Sequence, residues 1–305
     1  MTARAWAAFA GVSVLWGVPY YFIKVCVDDG MPPVFLVWVR VLLAGLLLLA
    51  LAARAGVLGQ LRGRWAWVVA YTVLEVCIPF PLIAEGERHV SSSLAAILVA
   101  AVPLWVALLA LRFDHSERLT GRRLAGLLVG LGGVVALVGI DVAGNADELL
   151  GAAAVLVAAL GYAAGPMLLN VRLRGVDMRA VMAASLLVAA AILTPWALAD
   201  PPAAMPGGGA IASLATLVVA CTAVAFTLFG ALIAMVGPGR AAVITYVAPV
   251  VAVALGVVAA GERPGPGALL GLVLIAAGSW LGTRADAGRP SGDARPVAPR
   301  ADLAG

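Results

Sequence analysis

The chain has 305 residues, 63% of them hydrophobic and 12% charged, with a mean hydropathy of +1.06 and a formal net charge of +4. A soluble globular chain is about half apolar and a quarter charged, because its surface needs polar cover, so no part of this chain reads as a soluble domain. The basic excess is 19 arginines and a single lysine, Lys24, placed in short connections and a tail rather than on a nucleic-acid-binding face.

About 20 apolar residues cross the hydrocarbon layer of a bilayer. Ten segments qualify, in chain order 5–26, 33–53, 66–84, 92–111, 124–140, 149–169, 180–199, 211–236, 241–260 and 266–283. Only Arg4 precedes the first, and no cleavage site follows it, so it reads as a retained helix rather than a signal peptide. The polar stretch 141–148 separates the fifth segment from the sixth. The tail from 284 to 305, rich in Ala, Pro, Arg, Gly and Asp, has no apolar period and is expected to be disordered.

Ten crossings sort the charges. Sixteen arginines fall at the N-terminus, in alternate connections or in the tail, including Arg54, Arg62, Arg64, Arg112, Arg118, Arg172, Arg174, Arg179 and Arg240. The other connections hold Asp28, Asp29, Glu85, Glu87, Asp141, Asp147, Glu148, Asp200 and Glu262, with only Arg88 and Arg263 against them. The positive-inside rule therefore predicts both termini in the cytoplasm.

The two halves echo each other. Pro103, Glu117, Gly126 and Gly133, at spacings of 14, 9 and 7, recur as Pro249, Glu262, Gly271 and Gly278 at 13, 9 and 7. The offset is about 145 residues, or five helices. An odd number of crossings per repeat makes the halves run in opposite senses, the inverted repeat of many secondary transporters, whose substrate sits between the halves near mid-membrane. The expected fold is thus an all-α integral membrane protein of ten transmembrane helices in a 5+5 inverted repeat. Residues 1–140 form the first repeat, 141–283 the second and 284–305 the tail.

The residues resemble the EamA family of the drug/metabolite transporter superfamily. The resemblance rests on LWGVPYYFIK in the first segment, PPVFLVWVR opening the second, mid-helix Pro followed by Glu-Arg around the fourth and ninth, and spaced Gly in the fifth and tenth. It spans residues 5–283 and implies a carrier of the bacterial inner membrane that exports an amino-acid-like metabolite or a drug-like compound by alternating access, with a proton as the candidate coupling ion. The expected partners are a small-molecule substrate and the lipid bilayer, with no nucleic acid, and the chain is a monomer or a homodimer.

A charge in hydrocarbon costs at least about 2.5–3.5 kcal/mol on insertion scales, so each one asks for a reason. Arg40 and Glu75 alone lie well inside a span. Arg40 suits a substrate carboxylate. Glu75 suits an ammonium or a coupling proton. The two also suit a structural ion pair between the second and third helices. The aromatic candidates for the pathway are Trp16, Tyr20, Trp105, Tyr162 and Tyr246, each of which also fits plain packing or an interfacial belt. Lys24 reads as an interfacial anchor, and Glu117 and Glu262 as loop-capping or gating ion pairs with the arginines beside them. Pro19, Pro79, Pro103, Pro166, Pro195 and Pro249 are expected to bend six helices. Gly126/Gly130, Gly267/Gly271 and Gly278/Gly282 form GxxxG spacings for close packing inside the chain or across a dimer.

Cys26, Cys77 and Cys221 are isolated, so neither a metal site nor a disulfide framework is predicted, and no cofactor is implied. No phosphate-binding loop and no Ser/His/Asp set appears, and His89 and His115 fall on opposite sides, so an enzyme is not expected. The competing reading is a membrane-embedded enzyme or a lipid-handling protein that translocates nothing.

Overall fold

The structure is a computed structural model and describes residues 1–113, 121–237, 241 and 243–284. His115, Glu117, Arg118, Arg240 and the tail from 285 lie outside the described residues. The described residues are helical, with no strand among them.

Each predicted segment falls on a helix. The helices are α1 (Ala3–Asp28), α2 (Pro33–Arg54), α3 (Trp65–Gly86) and α4 (Ser92–Val99, continuing as Val102–Phe113). They continue with α5 (Gly121–Leu137, prolonged by a π-helical turn, Val138–Val142), α6 (Ala146–Arg172) and α7 (Met178–Ala199), then α8 (Gly208–Val236), α9 (Ile244–Ala260) and α10 (Pro266–Arg284). Eight are long and apolar enough to cross a bilayer. The apolar stretches of α9 (Ile244–Ala260) and α10 (Pro266–Leu281) are shorter. Side chains such as Val258 (85% exposed) and Val135 (70%) cover the outside of the bundle, which suits lipid and not water.

Local chemistry sets the ends. Ser91, Asn145 and Asp177 cap α4, α6 and α7 by accepting from backbone N–H groups of the first turn. Pro33 and Pro266 open α2 and α10, where a missing N–H costs nothing. Gly261, at φ 66°, closes α9 in the left-handed region, and the N–H of Glu262 then reaches back to the carbonyl of Gly256 at 3.0 Å. The expected proline breaks divide into two kinds. Pro19 and Pro79 start a fresh helical piece, and Pro103 follows a break at 100–101. Pro166, Pro195 and Pro249 lie inside continuous helices.

The helices pack in recurring pairs: α2 on α7, α5 on α10, α4 on α9, α3 on α6 and α1 on α8, with α1 also on α9 and α4 also on α6. The glycine spacings serve packing within the chain. Gly133 of α5 faces α10 so closely that a Cβ there would stand 2.8 Å from the Cβ of Leu274 and 3.0 Å from the carbonyl oxygen of Gly271. Gly278 meets the backbone of Gly126 and Gly130 in the same way.

The connections that hold the acidic residues gather at one end of the bundle and are tied together there. Asp29 accepts from the N–H of Gly207 (2.7 Å), and Asp141 accepts from the N–H groups of Gly267 (3.0 Å) and Ala268 (2.5 Å) at the start of α10. Lys24 donates to the carbonyl of Glu87 (2.7 Å) and pairs with Asp28 (3.2 Å). Among the described residues, the opposite, arginine-bearing end also has ties. Gln60 accepts from the N–H of Asp177 (2.7 Å), Arg64 donates to the carbonyl of Arg174, and the Arg172 guanidinium lies over the Trp67 ring.

Candidate functional site

Arg40 lies on the buried stripe of α2, in helical phase with Leu36, Val37, Ala44 and Leu48, and is itself 7% exposed. A buried guanidinium must find partners. Its Nε donates to Thr222 Oγ1 of α8 at 2.9 Å, and its plane sits 4.6 Å from the centre of the Phe80 ring of α3. The phenols of Tyr20 (α1) and Tyr162 (α6) lie close enough to act on its charge. Tyr162 also stands edge-on to Phe80, 6.4 Å between ring centres.

Glu75 lies in a π-helical turn of α3, Val73–Cys77, which widens the helix by one residue and lets the N–H of Ile78 bond the carbonyl of Val73 (3.0 Å). The carboxyl is half-buried. Its Oε2 is sealed against Gly165 of α6 with no hydrogen-bond partner, and only a glycine leaves room for it there. No ion pair joins Arg40 to Glu75, so the structural-pair expectation fails for this conformer: Arg40 takes Thr222 and Phe80 instead.

The structure thus gathers Arg40, Glu75, Tyr20 and Tyr162 of the predicted set. Trp16 lies apart, its ring 4.6 Å from Phe229 and 5.6 Å from Phe226 in a cluster of α1, α8 and α9. Trp105 and Tyr246 are half-buried on α4 and at the start of α9, two helices that pack together. Two members of the site escaped the sequence reading. Thr222 had a signal, a hydroxyl in an apolar run of a chain with an arginine to satisfy. Phe80 had a weaker one, its place between the two prolines 79 and 81.

Two expectations at the acidic end change. Glu262 is not paired with Arg263 but clamps the first turn of α4. It accepts from the N–H and hydroxyl of Ser92, both at 2.8 Å, and from the N–H of Ser93 at 3.0 Å and the Ser93 hydroxyl. Burial opposes its charge, but these bonds outweigh burial and hold the carboxyl below the usual range. Lys24 is more than an anchor, since it bridges α1 to the end of α3. Beside this end, a cavity of about 470 Å³ is lined by His89, Asp141, Glu148 and Arg263 among others.

The comparisons with known proteins decide the family. The EamA-like transporter family matches this chain twice, over residues 4–139 and 149–284. The chain belongs to the EamA-like transporter family. Like this EamA-family chain, an uncharacterized inner membrane transporter of Escherichia coli K12, YedA, is a full-length relative, 29% identical over 265 residues that cover 84% of this chain and 82% of that protein. A probable amino-acid metabolite efflux pump of the same organism is 27% identical over 281 residues, 88% and 91% of the two chains. PagO of Salmonella typhimurium LT2 is 32% identical over 133 residues, covering 43% of this chain and 42% of that one. One crystal structure at 22% identity matches with a TM-score of 0.66 over 93% of this chain and 98% of the other, a likeness of fold alone. The EamA-family assignment makes the chain a membrane-embedded protein of a transporter family, with relatives in the bacterial inner membrane.

Proposed function

We propose that the protein is a secondary carrier that exports a small amino-acid-like metabolite or drug-like compound across the bacterial inner membrane by alternating access. Two five-helix repeats, 1–140 and 141–283, are inserted in opposite senses, with both termini in the cytoplasm.

The observation that carries this reading is the make-up of the central site. The first half brings Tyr20, Arg40, Glu75 and Phe80, and the second brings Tyr162 and Thr222, so both charges come from the first half and the second half closes the site with a phenol and a hydroxyl across the seam. A cation and a carboxylate in one apolar surround suit the two ends of a zwitterion. The helix pairing supports the repeat. Exchanging each helix with the one five places on leaves α2–α7, α5–α10 and α4–α9 unchanged, turns α3–α6 into α8–α1, and turns α1–α9 into α6–α4, all of them observed pairs. The double match to the family at an offset of about 145 residues supports it too. The relative named as an amino-acid metabolite efflux pump supports the substrate class.

Counterflow of radiolabelled amino acids in proteoliposomes tests the proposal. Label exchange that needs the protein and is lost in Arg40→Gln supports it. Chemical change of an added compound without translocation would favour the enzyme reading. A tag at either terminus that proves accessible from the periplasm would overturn the orientation.

A further inference from the structure

Beyond the central site, the end of α3 holds a second acid of a different kind. Glu87 is 0% exposed, and both of its carboxylate oxygens are buried without any hydrogen-bond partner. The helical phase of α3 puts it there. Phe80, Ile83, Ala84 and Glu87 occupy positions i, i+3, i+4 and i+7, and all four are buried, whereas Glu85 points out to Arg88 and His89.

The charged and titratable groups around it are engaged elsewhere or repel it. From α1, the Lys24 ammonium spends its bonds on the Glu87 backbone carbonyl (2.7 Å) and on Asp28 (3.2 Å), not on the carboxylate. Asp28 and Tyr20, also on α1, face it with a like charge and a phenol. From α2, Arg40 is committed to Thr222 and Phe80. From the α9–α10 connection comes Glu262, another carboxylate, already satisfied by Ser92 and Ser93. An ionised carboxylate sealed with no donor is far more costly than a neutral one. Each oxygen is closed to a water-sized sphere, so the one ligand that fits without moving the helices is a proton.

We propose that Glu87 is a proton-binding site of the carrier, occupied while Lys24 ties α1 to α3 and emptied when that tie opens. The step is a simple protonation: a proton from the water at the acidic end adds to one carboxylate oxygen and neutralises it, and the same proton leaves to water when the helices part. The parted state frees Lys24 to pair with the carboxylate. The coupling of this step to transport rests on the carrier reading above, but proton binding does not.

Two experiments separate them. Infrared titration of the full-length protein in lipid needs no substrate. At neutral pH a protonated-carboxyl stretch is expected in the wild type, with a component that Glu87→Gln removes and Glu75→Gln keeps. An unchanged band in Glu87→Gln overturns the proposal. If that variant does not fold, Lys24→Met decides, because removing the neighbouring ammonium must move the midpoint of the band to higher pH, and an unmoved midpoint overturns it. In proteoliposomes that show counterflow, wild-type exchange is expected to depend on pH and that of Glu87→Gln to be flat. Counterflow with the same pH profile in both would refute coupling through Glu87. Absence of any counterflow would strike the carrier reading and leave the infrared result standing.

Discussion

Helices α3 and α8 carry the same local device, a π-helical turn near mid-helix, at Val73–Cys77 and Val219–Val224, and the two helices exchange places in the pairing pattern. Yet the two turns are furnished differently. In α8, Thr222 is satisfied twice: it accepts from Arg40 and donates to the carbonyl of Leu217 at 2.7 Å. In α3, Glu75 keeps a buried oxygen without a partner. A polar group in an apolar surround that is fully bonded holds the fold in place, and one that is not carries a cost that an incoming group can remove. In the carrier proposed above, the α8 turn is the fixed wall of the site and the α3 turn its binding face.

The comparison breaks most easily at Glu75. Glu75→Gln is expected to fold, with its melting temperature unchanged or raised, while counterflow falls to background. A variant that exchanges label normally would place the binding face elsewhere. Thr222→Val should do the reverse, leaving the buried Arg40 Nε without an acceptor at a cost of about 1–3 kcal/mol. The readout is a lower melting temperature in detergent, restored by Thr222→Ser. Gly165→Ala is a gentler probe. Its methyl would meet Glu75 Oε2 and push the carboxyl aside, so exchange should slow several-fold with little change in melting temperature. The smallest effect belongs to Glu262, a carboxylate that resembles Thr222 in being fully satisfied. Its folded-state value lies below the unfolded one of about 4.3. The stability it contributes is thus fully present above about pH 4.3 and lost as the pH drops through the folded value. The melting-temperature gap between wild type and Glu262→Gln should be constant at neutral pH and close in acid.

Much of the fold was legible because lipid makes the apolar runs long and the charges rare. Ten segments could be read, and the contrast between acidic and arginine-bearing connections matches two physical ends of the bundle. Arg40 was legible for the same reason. Its partner was not, because Thr222 lies some 180 residues away and hydroxyls are common enough in apolar helices that nothing local singles one out. Glu87 looked like one loop charge among several. Its burial follows from the phase of the helix before it, which could have been counted from Phe80 but is invisible in composition. The π-helical turns leave no pattern in the sequence at all, since the widening depends on what packs against the helix.

The seam between α5 and α10 has a mechanical consequence. Where glycines bring two backbones this near, backbone meets backbone and few side chains stand between them that could swap rotamers to let the helices slide. In the carrier proposed above, that edge is the one expected to stay standing while the rest turns about it, as a door turns about its hinge post. A disulfide between α5 and α10 should then leave counterflow intact.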